Sequence, residues 1–287
     1  MRNLVPVEYR PIEVFKSIAN NCMGDKKEKL LEIQGEIEHH YERYDLNKYN
    51  LEFLEQREYR GLYKDYLLSC YGENVNLNKL KVRIKEKQDL PLRAKCIYCG
   101  INSPGTFDHY LPKEDYPEFA VLSMNLIPCC EKCNSKKGKR WRNNDDIRMF
   151  LNLYYDLIPD EQFLYASLAY HDRSNVPTVS FYLRLGESID LNLTSVIALH
   201  YENLDLLNRF EDQANDELSN IFMLTSDAIQ QGVSVEFQKA TLNRTYNANV
   251  RRLGRNHWLS VLYETVINNE DFFESCIHFR GEIENIS

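Results

Sequence analysis

Two short stretches with paired cysteines mark the central part of this chain: CIYCG at residues 96–100 and CEKCN at residues 130–134. In each stretch, two residues separate a pair of cysteines. This spacing lets both sulfurs bind one Zn²⁺ ion at about 2.3 Å while the turn between them supports the site. Two such pairs complete a closed tetrahedral site with no position left for water, which is typical of structural zinc. The four predicted zinc ligands are Cys96, Cys99, Cys130 and Cys133.

The segment between the pairs is too small and too rich in proline to bury a core of its own. Prolines at 104, 112, 117 and 128 disfavour long helices before Cys130 and favour short strands and turns. Zinc binding would therefore contribute folding free energy, on the order of 10 kcal/mol in small zinc modules. Cys129 could replace Cys130 in principle, but only Cys130 has the two-residue spacing.

The charge of the chain is divided unevenly. The net charge of −8 separates into −3 for residues 1–78, +7 for residues 79–142 and −12 for residues 143–287. The positive excess thus surrounds the cysteine pairs, where a phosphate backbone would be attracted. A lone basic run such as residues 79–87 can also be a solvated helix face.

Composition indicates a globular protein outside the membrane. Hydrophobic residues make up 43% of the chain, and no apolar run approaches the roughly 18 residues that a bilayer-spanning helix needs. The N-terminal residues do not show the pattern of a secretory signal. We therefore expect a cytoplasmic protein with no membrane partner.

Periodicity predicts three segments and a predominantly α-helical α+β fold. Residues 1–90 have apolar residues at three- and four-residue steps, as in amphipathic helices. Residues 91–142 hold the cysteine pairs. Residues 143–287 predict an acidic helical domain with a short β element near 177–185, where apolar and polar residues alternate.

Polar residues between and after the cysteine pairs complete an ordered pattern. Asp108-His109 follows the first pair, Asn125 precedes the second, and Asn134 comes directly after Cys133. In this order the pattern resembles the HNH branch of the His-Me finger nucleases. The resemblance implies a central ββα finger that holds one catalytic metal, with a four-cysteine zinc clamp, between helical flanks.

The resemblance implies a role for each of these residues. His109 would be the general base, because a neutral imidazole can take a proton from the attacking water near pH 7. Asp108 and Asn134 would bind Mg²⁺ or Mn²⁺, since oxygen ligands favour these cations over Zn²⁺ or Ni²⁺. Asn125 would tie the hairpin loop by hydrogen bonds. The candidates for phosphate contacts are Lys113, Lys136, Lys137, Lys139, Arg140 and Arg142.

Three classes of function remain open on the sequence alone. A metal-dependent endonuclease acting on DNA is our main hypothesis, because the flanks of the finger are also similar to nuclease subunits of bacterial anti-phage systems such as Septu. That similarity implies a regulatory ATPase or other NTPase partner, which the acidic segment could contact. The alternatives are an HNH ribonuclease that cuts tRNA, for example, and a zinc-dependent nucleic-acid-binding module without catalysis. The sequence indicates no oligomeric state.

Overall fold

A computed structural model describes residues 2–171, 174–186 and 188–279, and it divides them into two compact units. The first unit comprises residues 2–158 and 190–204, and the second comprises residues 159–186, 188–189 and 205–279. Across these described residues, no helix combines the length and the apolar character needed to cross a bilayer.

The first unit consists of helices around one short hairpin. Its helices are α1 (Pro11–Asn20), α2 (Gly24–Glu32), α3 (Gln34–Leu46), α4 (Gly61–Ser69), α5 (Val75–Glu86), α6 (Leu90–Ala94), α7 (Glu131–Lys137) and α8 (Leu191–Asn203). Short 3₁₀ turns occur at Leu51–Phe53, Pro117–Phe119 and Ser123–Asn125. Strands β1 (Thr106–His109) and β2 (Leu126–Cys129) pair antiparallel, with Thr106 opposite Cys129 and His109 opposite Leu126.

The hairpin and α7 together form the expected ββα finger between helical segments. β2 leads into α7 through Cys130, and α7 ends before Gly138, whose φ of 56° suits glycine better than any residue with a side chain. All four residues of β2 are buried, as are three of β1. The central finger and the predominantly helical α+β class are therefore confirmed.

The N-terminal helices supply the hydrophobic core that the finger lacks. Phe119, in the turn between β1 and β2, lies edge-on to Tyr44 of α3 with ring centroids 5.2 Å apart. The Tyr44 hydroxyl donates a hydrogen bond to the Met124 carbonyl. Both rings are buried, so the loop of the finger folds against the amphipathic face of α3.

Helix α8 joins the first unit, although the sequence placed it in a single C-terminal segment. His200 of α8 explains why. Its Nδ1 accepts a hydrogen bond from the Leu151 amide, its Nε2 lies 3.3 Å from the Tyr98 carbonyl, and its ring meets the Tyr98 ring edge-on. Burial lowers the pKa of His200 to about 4, so the imidazole is neutral at pH 7 and donates from Nε2. The division of the chain into two units thus depends on long-range contacts, which the periodicity of apolar residues does not predict.

The second unit is a hairpin packed on helices. It contains β3 (Leu164–His171), β4 (Ser174–Leu183), α9 (Leu206–Gln230), α10 (Val235–Leu253), α11 (Trp258–Ile267) and α12 (Glu270–His278). The β element expected near 177–185 is β4, and it pairs antiparallel with β3. Phe210, Ala214, Leu218 and Ile221 form a buried stripe on α9, which packs against β4.

Candidate functional site

The two cysteine pairs meet in one buried cluster. One Sγ atom from each of Cys96, Cys99, Cys130 and Cys133 lies within 4.8 Å of the others. All four side chains are buried, and Cys99 Sγ lies 3.8 Å from Cys130 Sγ. Four converging sulfurs at this spacing fit a tetrahedral zinc ion.

Mutual contacts among the thiols redistribute their protons. Hydrogen bonds from Cys133, Cys96 and Cys99 lower the pKa of Cys130. The same contacts raise the pKa of Cys96 and Cys133, so zinc, which binds the thiolate form, must displace the protons of these two thiols. Cys129 stays outside the cluster. Its Sγ lies 3.5 Å from Thr106 Oγ1, and burial raises the pKa of its thiol to about 12.

Asp108 lies in β1 with both carboxylate oxygens engaged. Oδ2 accepts a hydrogen bond from the Tyr98 hydroxyl at 2.8 Å, and Oδ1 lies 3.0 Å from the Lys137 ammonium of α7. The carboxylate is 3% exposed and the Lys137 side chain is fully buried, so the two form an internal ion pair. Tyr98 lies between the cysteines of the first pair, which connects the zinc cluster to Asp108.

Lys137 is buried, whereas the sequence predicted it as a phosphate contact at the surface. Its ammonium is buried, lies next to the Asp108 carboxylate, and donates a second hydrogen bond to the His109 carbonyl at 2.8 Å. The helical phase of α7 turns this side chain inward. Lys137 thus links the side chain of Asp108 to the backbone of His109.

His109 ends β1 and faces different neighbours from Asp108. Its Nε2 lies 2.9 Å from the Ala120 carbonyl, and its ring meets the Tyr71 ring edge-on at 4.2 Å between centroids. A carbonyl oxygen can only accept, so Nε2 carries the proton and Nδ1 holds a lone pair. Burial lowers the pKa of His109 to about 4, which keeps the imidazole neutral at pH 7.

Asn125 closes the loop that joins β1 to β2. Its Oδ1 accepts from the Leu111 amide at 2.8 Å, and its Nδ2 donates to the carbonyls of Leu111 and Phe119 at 3.0 and 3.2 Å. The side chain is completely buried. These three bonds fix the backbone on both sides of the turn.

Asn134 lies on α7 beside the first residue of β1. Its Nδ2 donates to Thr106 Oγ1 at 3.3 Å, and the residue is half-buried. Thr106 and Asp108 are two residues apart on the strand, so they lie on the same face of β1. The structure thereby brings Asn134 to the Asp108 side of the hairpin, whereas His109 points to the opposite side.

The remaining predicted cations lie nearer the surface. Lys113 pairs with Glu114 at 3.0 Å, and Arg142 pairs with Asp146 at 2.9 Å. Arg140 donates to Asn203 Oδ1 at 3.0 Å, Lys136 is half-buried, and Lys139 is exposed. We refer to these five side chains as the basic surface near α7, because four of them lie on or directly after that helix; Lys113 and Arg142 have acidic partners.

Two residues near the site carry no signal in the sequence. Tyr98 looks like a spacer within a cysteine pair, and Tyr71 belongs to a helical segment rich in tyrosine. Tyr98 contacts Asp108, and Tyr71 packs on His109. Ile97 and Tyr98 look alike as spacer residues of the turn, and the contact of Tyr71 with His109 joins distant parts of the chain, so local spacing indicates neither contact.

Comparison with known proteins places this arrangement in a family. Residues 96–140 match the HNH endonuclease family. The chain is similar to protein ea31 of Escherichia phage lambda, with 29% identity over 194 residues, which is 62% of this chain and 63% of ea31. It is also similar to the Septu protein PtuB of Bacillus thuringiensis, with 41% identity over 49 residues, which is 15% of this chain and 19% of PtuB.

Both alignments span less than two thirds of the relative's own length. No solved structure matches the chain. The family match covers the finger from its first zinc cysteine to Arg140, and the four-cysteine cluster lies within it. Residues 96–140 of this chain are therefore an HNH endonuclease domain with a zinc-type cysteine cluster.

Proposed function

We propose that this chain is an endonuclease that hydrolyses phosphodiester bonds, with DNA as its substrate. The observation that carries the proposal is His109, a neutral imidazole held in one tautomer within an HNH domain. Hydrolysis needs a base for the attacking water, and this histidine has the protonation state that a base requires.

The tautomer of His109 assigns the proton transfer to one atom. Nε2 donates to the Ala120 carbonyl, which fixes the ring plane. Nδ1 has no hydrogen bond to any residue that the structure describes, so its lone pair can take a proton from water. The edge contact with Tyr71 restricts the ring further, and this preorganisation lowers the entropic cost of reaching the transition state.

A divalent cation would stabilise the negative charge that develops on the phosphate. Asp108 and Asn134 remain our proposed ligands for Mg²⁺ or Mn²⁺, and they lie on one side of β1. Each Asp108 oxygen already has one partner, the Lys137 ammonium on Oδ1 and the Tyr98 hydroxyl on Oδ2, so a bound cation would use the remaining lone pairs of the carboxylate.

The substrate backbone would contact the basic surface near α7. Residues 79–142 carry a net charge of +7 in a chain of net −8, which favours a polyanion at the finger. We retain Lys113, Lys136, Lys139, Arg140 and Arg142 as phosphate contacts. Lys137 instead acts as the internal partner of Asp108.

A role in anti-phage defence is supported by the 49-residue similarity to PtuB and by the resemblance of the flanks to Septu nucleases. We propose that a regulatory NTPase controls the enzyme in the cytoplasm. The net charge of −12 on residues 143–287 suits contact with a basic surface of that partner. Comparing cleavage by the chain alone with cleavage by the chain co-purified with a candidate NTPase tests this part. Equal rates would contradict it.

The central test incubates the purified chain with plasmid, single-stranded DNA and tRNA, in Mg²⁺, in Mn²⁺ and after brief EDTA treatment. We expect cleavage of DNA that requires the added metal. His109→Ala should lower the rate by a factor of about 10² or more, because general-base catalysis contributes at least this much. His39→Ala is the matched control, since His39 is exposed on α3 and distant from the hairpin in sequence.

Each alternative has its own outcome in this assay. Cleavage of tRNA but not DNA would show a ribonuclease. Binding without cleavage, unaffected by His109→Ala, would show a zinc-dependent binding module. More than about a tenth of the wild-type rate in His109→Ala would exclude this histidine as the base.

A further inference from the structure

The basic run at residues 79–87 lies against the finger, on the side where His109 points. α5 carries this run, and its side chains at 81 and 85 lie one helical turn apart on one face. The Lys81 ammonium lies 4.2 Å from the centroid of the Tyr71 ring, and Tyr71 in turn contacts the His109 ring. Lys81 is therefore connected to the proposed base through a single aromatic ring.

Lys85 reaches the same strand from the next turn of α5. Its ammonium lies 5.4 Å from the Phe107 ring centroid and donates a hydrogen bond to the Pro104 carbonyl at 3.1 Å. The Lys81 ammonium lies 5.9 Å from the same ring. The two ammonium groups thus converge on Phe107, the residue two positions before His109.

Neither ammonium is neutralised by an acidic side chain among the described residues. By contrast, Lys87, which directly follows α5, pairs with Glu8. Burial and the charge of Lys85 lower the pKa of Lys81, so the two cations repel each other. An anion between them would relieve this repulsion, and a protein of net charge −8 has many carboxylates that could have done so.

We propose that Lys81 and Lys85, the α5 lysine pair, bind a backbone phosphate of the nucleic-acid strand next to the phosphate that is cut. This inference rests on the proposed function and adds a contact from outside the HNH domain. The two successive 4.2 Å contacts place the Lys81 ammonium within reach of a phosphate close to His109. Together with the basic surface near α7, the pair would hold the strand on both sides of β1.

The helix itself supplies a matched control. Lys79 and Arg83 lie two residues from Lys81, which at about 100° per residue places them on the opposite side of α5. Both are exposed, and Arg83 lies near Tyr9. The double variants K81Q/K85Q and K79Q/R83Q therefore remove the same charge from the same helix on opposite faces.

The test measures binding of a fluorescein-labelled DNA duplex by anisotropy over a series of salt concentrations. The protein is the full chain with His109→Ala, which prevents cleavage. Removing the α5 lysine pair should weaken binding about tenfold and reduce the salt slope by about 1 to 2, as expected for lost phosphate contacts. K79Q/R83Q should change the slope by much less.

A second measurement locates the contact. This measurement uses proteins that retain His109 and a substrate in which a neutral methylphosphonate replaces one phosphate beside the scissile phosphate. The replacement should slow cleavage by the wild type. It should not slow cleavage by K81Q/K85Q beyond the effect of the two substitutions. Zinc content and the thermal midpoint should match wild type in both double variants, because glutamine retains much of the aliphatic stem.

Equal losses in the two double variants would overturn the inference, because they would show that only the overall charge matters. An unchanged salt slope in K81Q/K85Q would overturn it as well. If the His109→Ala parent binds no nucleic acid, both this inference and the proposed function fail. If the parent binds and only the face dependence is missing, the proposed function stands and this inference falls.

Discussion

The two β-hairpins of this protein are held in place by different kinds of interaction. β1 and β2 have four residues each and are held by specific polar groups: the cysteine cluster, the Asn125 side chain and the Lys137–Asp108 pair. β3 and β4 are about twice as long; β4 packs on α9 through rings such as Phe181 and Phe210, whose centroids lie 5.9 Å apart, and β3 packs on α11.

This difference reflects the length of each hairpin and therefore the source of its stability. A hairpin too short to bury much apolar surface depends on bonds of fixed geometry, which also position the groups proposed for chemistry. A longer hairpin can rely on area buried against a helix. The two hairpins should therefore be destabilised by different substitutions.

Removal of zinc should have the largest effect and should act on β1–β2. We expect Cys96→Ser and Cys133→Ser each to release the metal and unfold the finger, since structural zinc contributes on the order of 10 kcal/mol in small modules. Elemental analysis and amide hydrogen exchange should show lost zinc and lost protection in β1–β2, with β3–β4 still protected. Cys22→Ser, outside the cluster, is the control. Full zinc content in both cluster variants would refute the four-cysteine site.

Phe210→Ala should act on β3–β4 instead. Truncation of this buried ring should lower the free energy of unfolding by about 3–5 kcal/mol. Hydrogen exchange should accelerate in β3–β4 while zinc content is unchanged. Phe237→Ala, at an exposed position of α10, should cost no more than about 0.5 kcal/mol. Loss of zinc in Phe210→Ala would contradict the independence of the two hairpins.

Lys137→Met tests whether the Asp108 pair is part of the finger's stability. The substitution keeps the aliphatic volume but leaves a buried carboxylate without its cation, which typically costs about 3 kcal/mol. Chemical denaturation should show this loss, and Lys139→Met should show almost none, because Lys139 is exposed. A Lys137→Met protein as stable as wild type would indicate that Asp108 has another partner.

The smallest expected difference compares two asparagines, each of which hydrogen-bonds to the backbone of one hairpin. Asn125 makes three buried hydrogen bonds, so Asn125→Ala should cost about 2–3 kcal/mol. Asn215 of α9 accepts from the Val179 amide of β4, and Asn215→Ala should cost about 1 kcal/mol. Thermal unfolding of both variants, with exposed Asn247→Ala as control, checks the order. Equal costs would mean that polar bonds matter as much for the long hairpin as for the short one.

The parts of this structure that short-range spacing specifies could be predicted from the sequence. A spacing of two residues between cysteines indicates a zinc-binding turn whatever the surrounding fold, so the cysteine cluster could be predicted without knowledge of the tertiary structure. Alternation near residue 178 likewise indicated a strand. Lys136 and Lys137 look equivalent in sequence, yet only the phase of α7 decides that Lys137 turns inward to Asp108.

Contacts between distant parts of the chain could not be predicted in this way. The packing of Tyr71 on His109 and of Lys81 on Tyr71 depends on how α5 docks beside β1, and periodicity reports only that α5 is amphipathic. The return of α8 to the finger unit depends on His200 meeting Tyr98, about a hundred positions earlier. Such pairings follow from tertiary packing, which no local pattern encodes.

The position of α8 also affects how the protein is made. The unit that holds the finger is complete only when residues 190–204 are present, because His200 bonds to both Tyr98 and Leu151. On a ribosome, residues 159–189 must be synthesised first, which takes a few seconds at about 5–20 residues per second. A nascent chain that already contains Tyr98 and Leu151 therefore lacks the His200 contacts during that interval, and the first unit is completed only after part of the second has been synthesised.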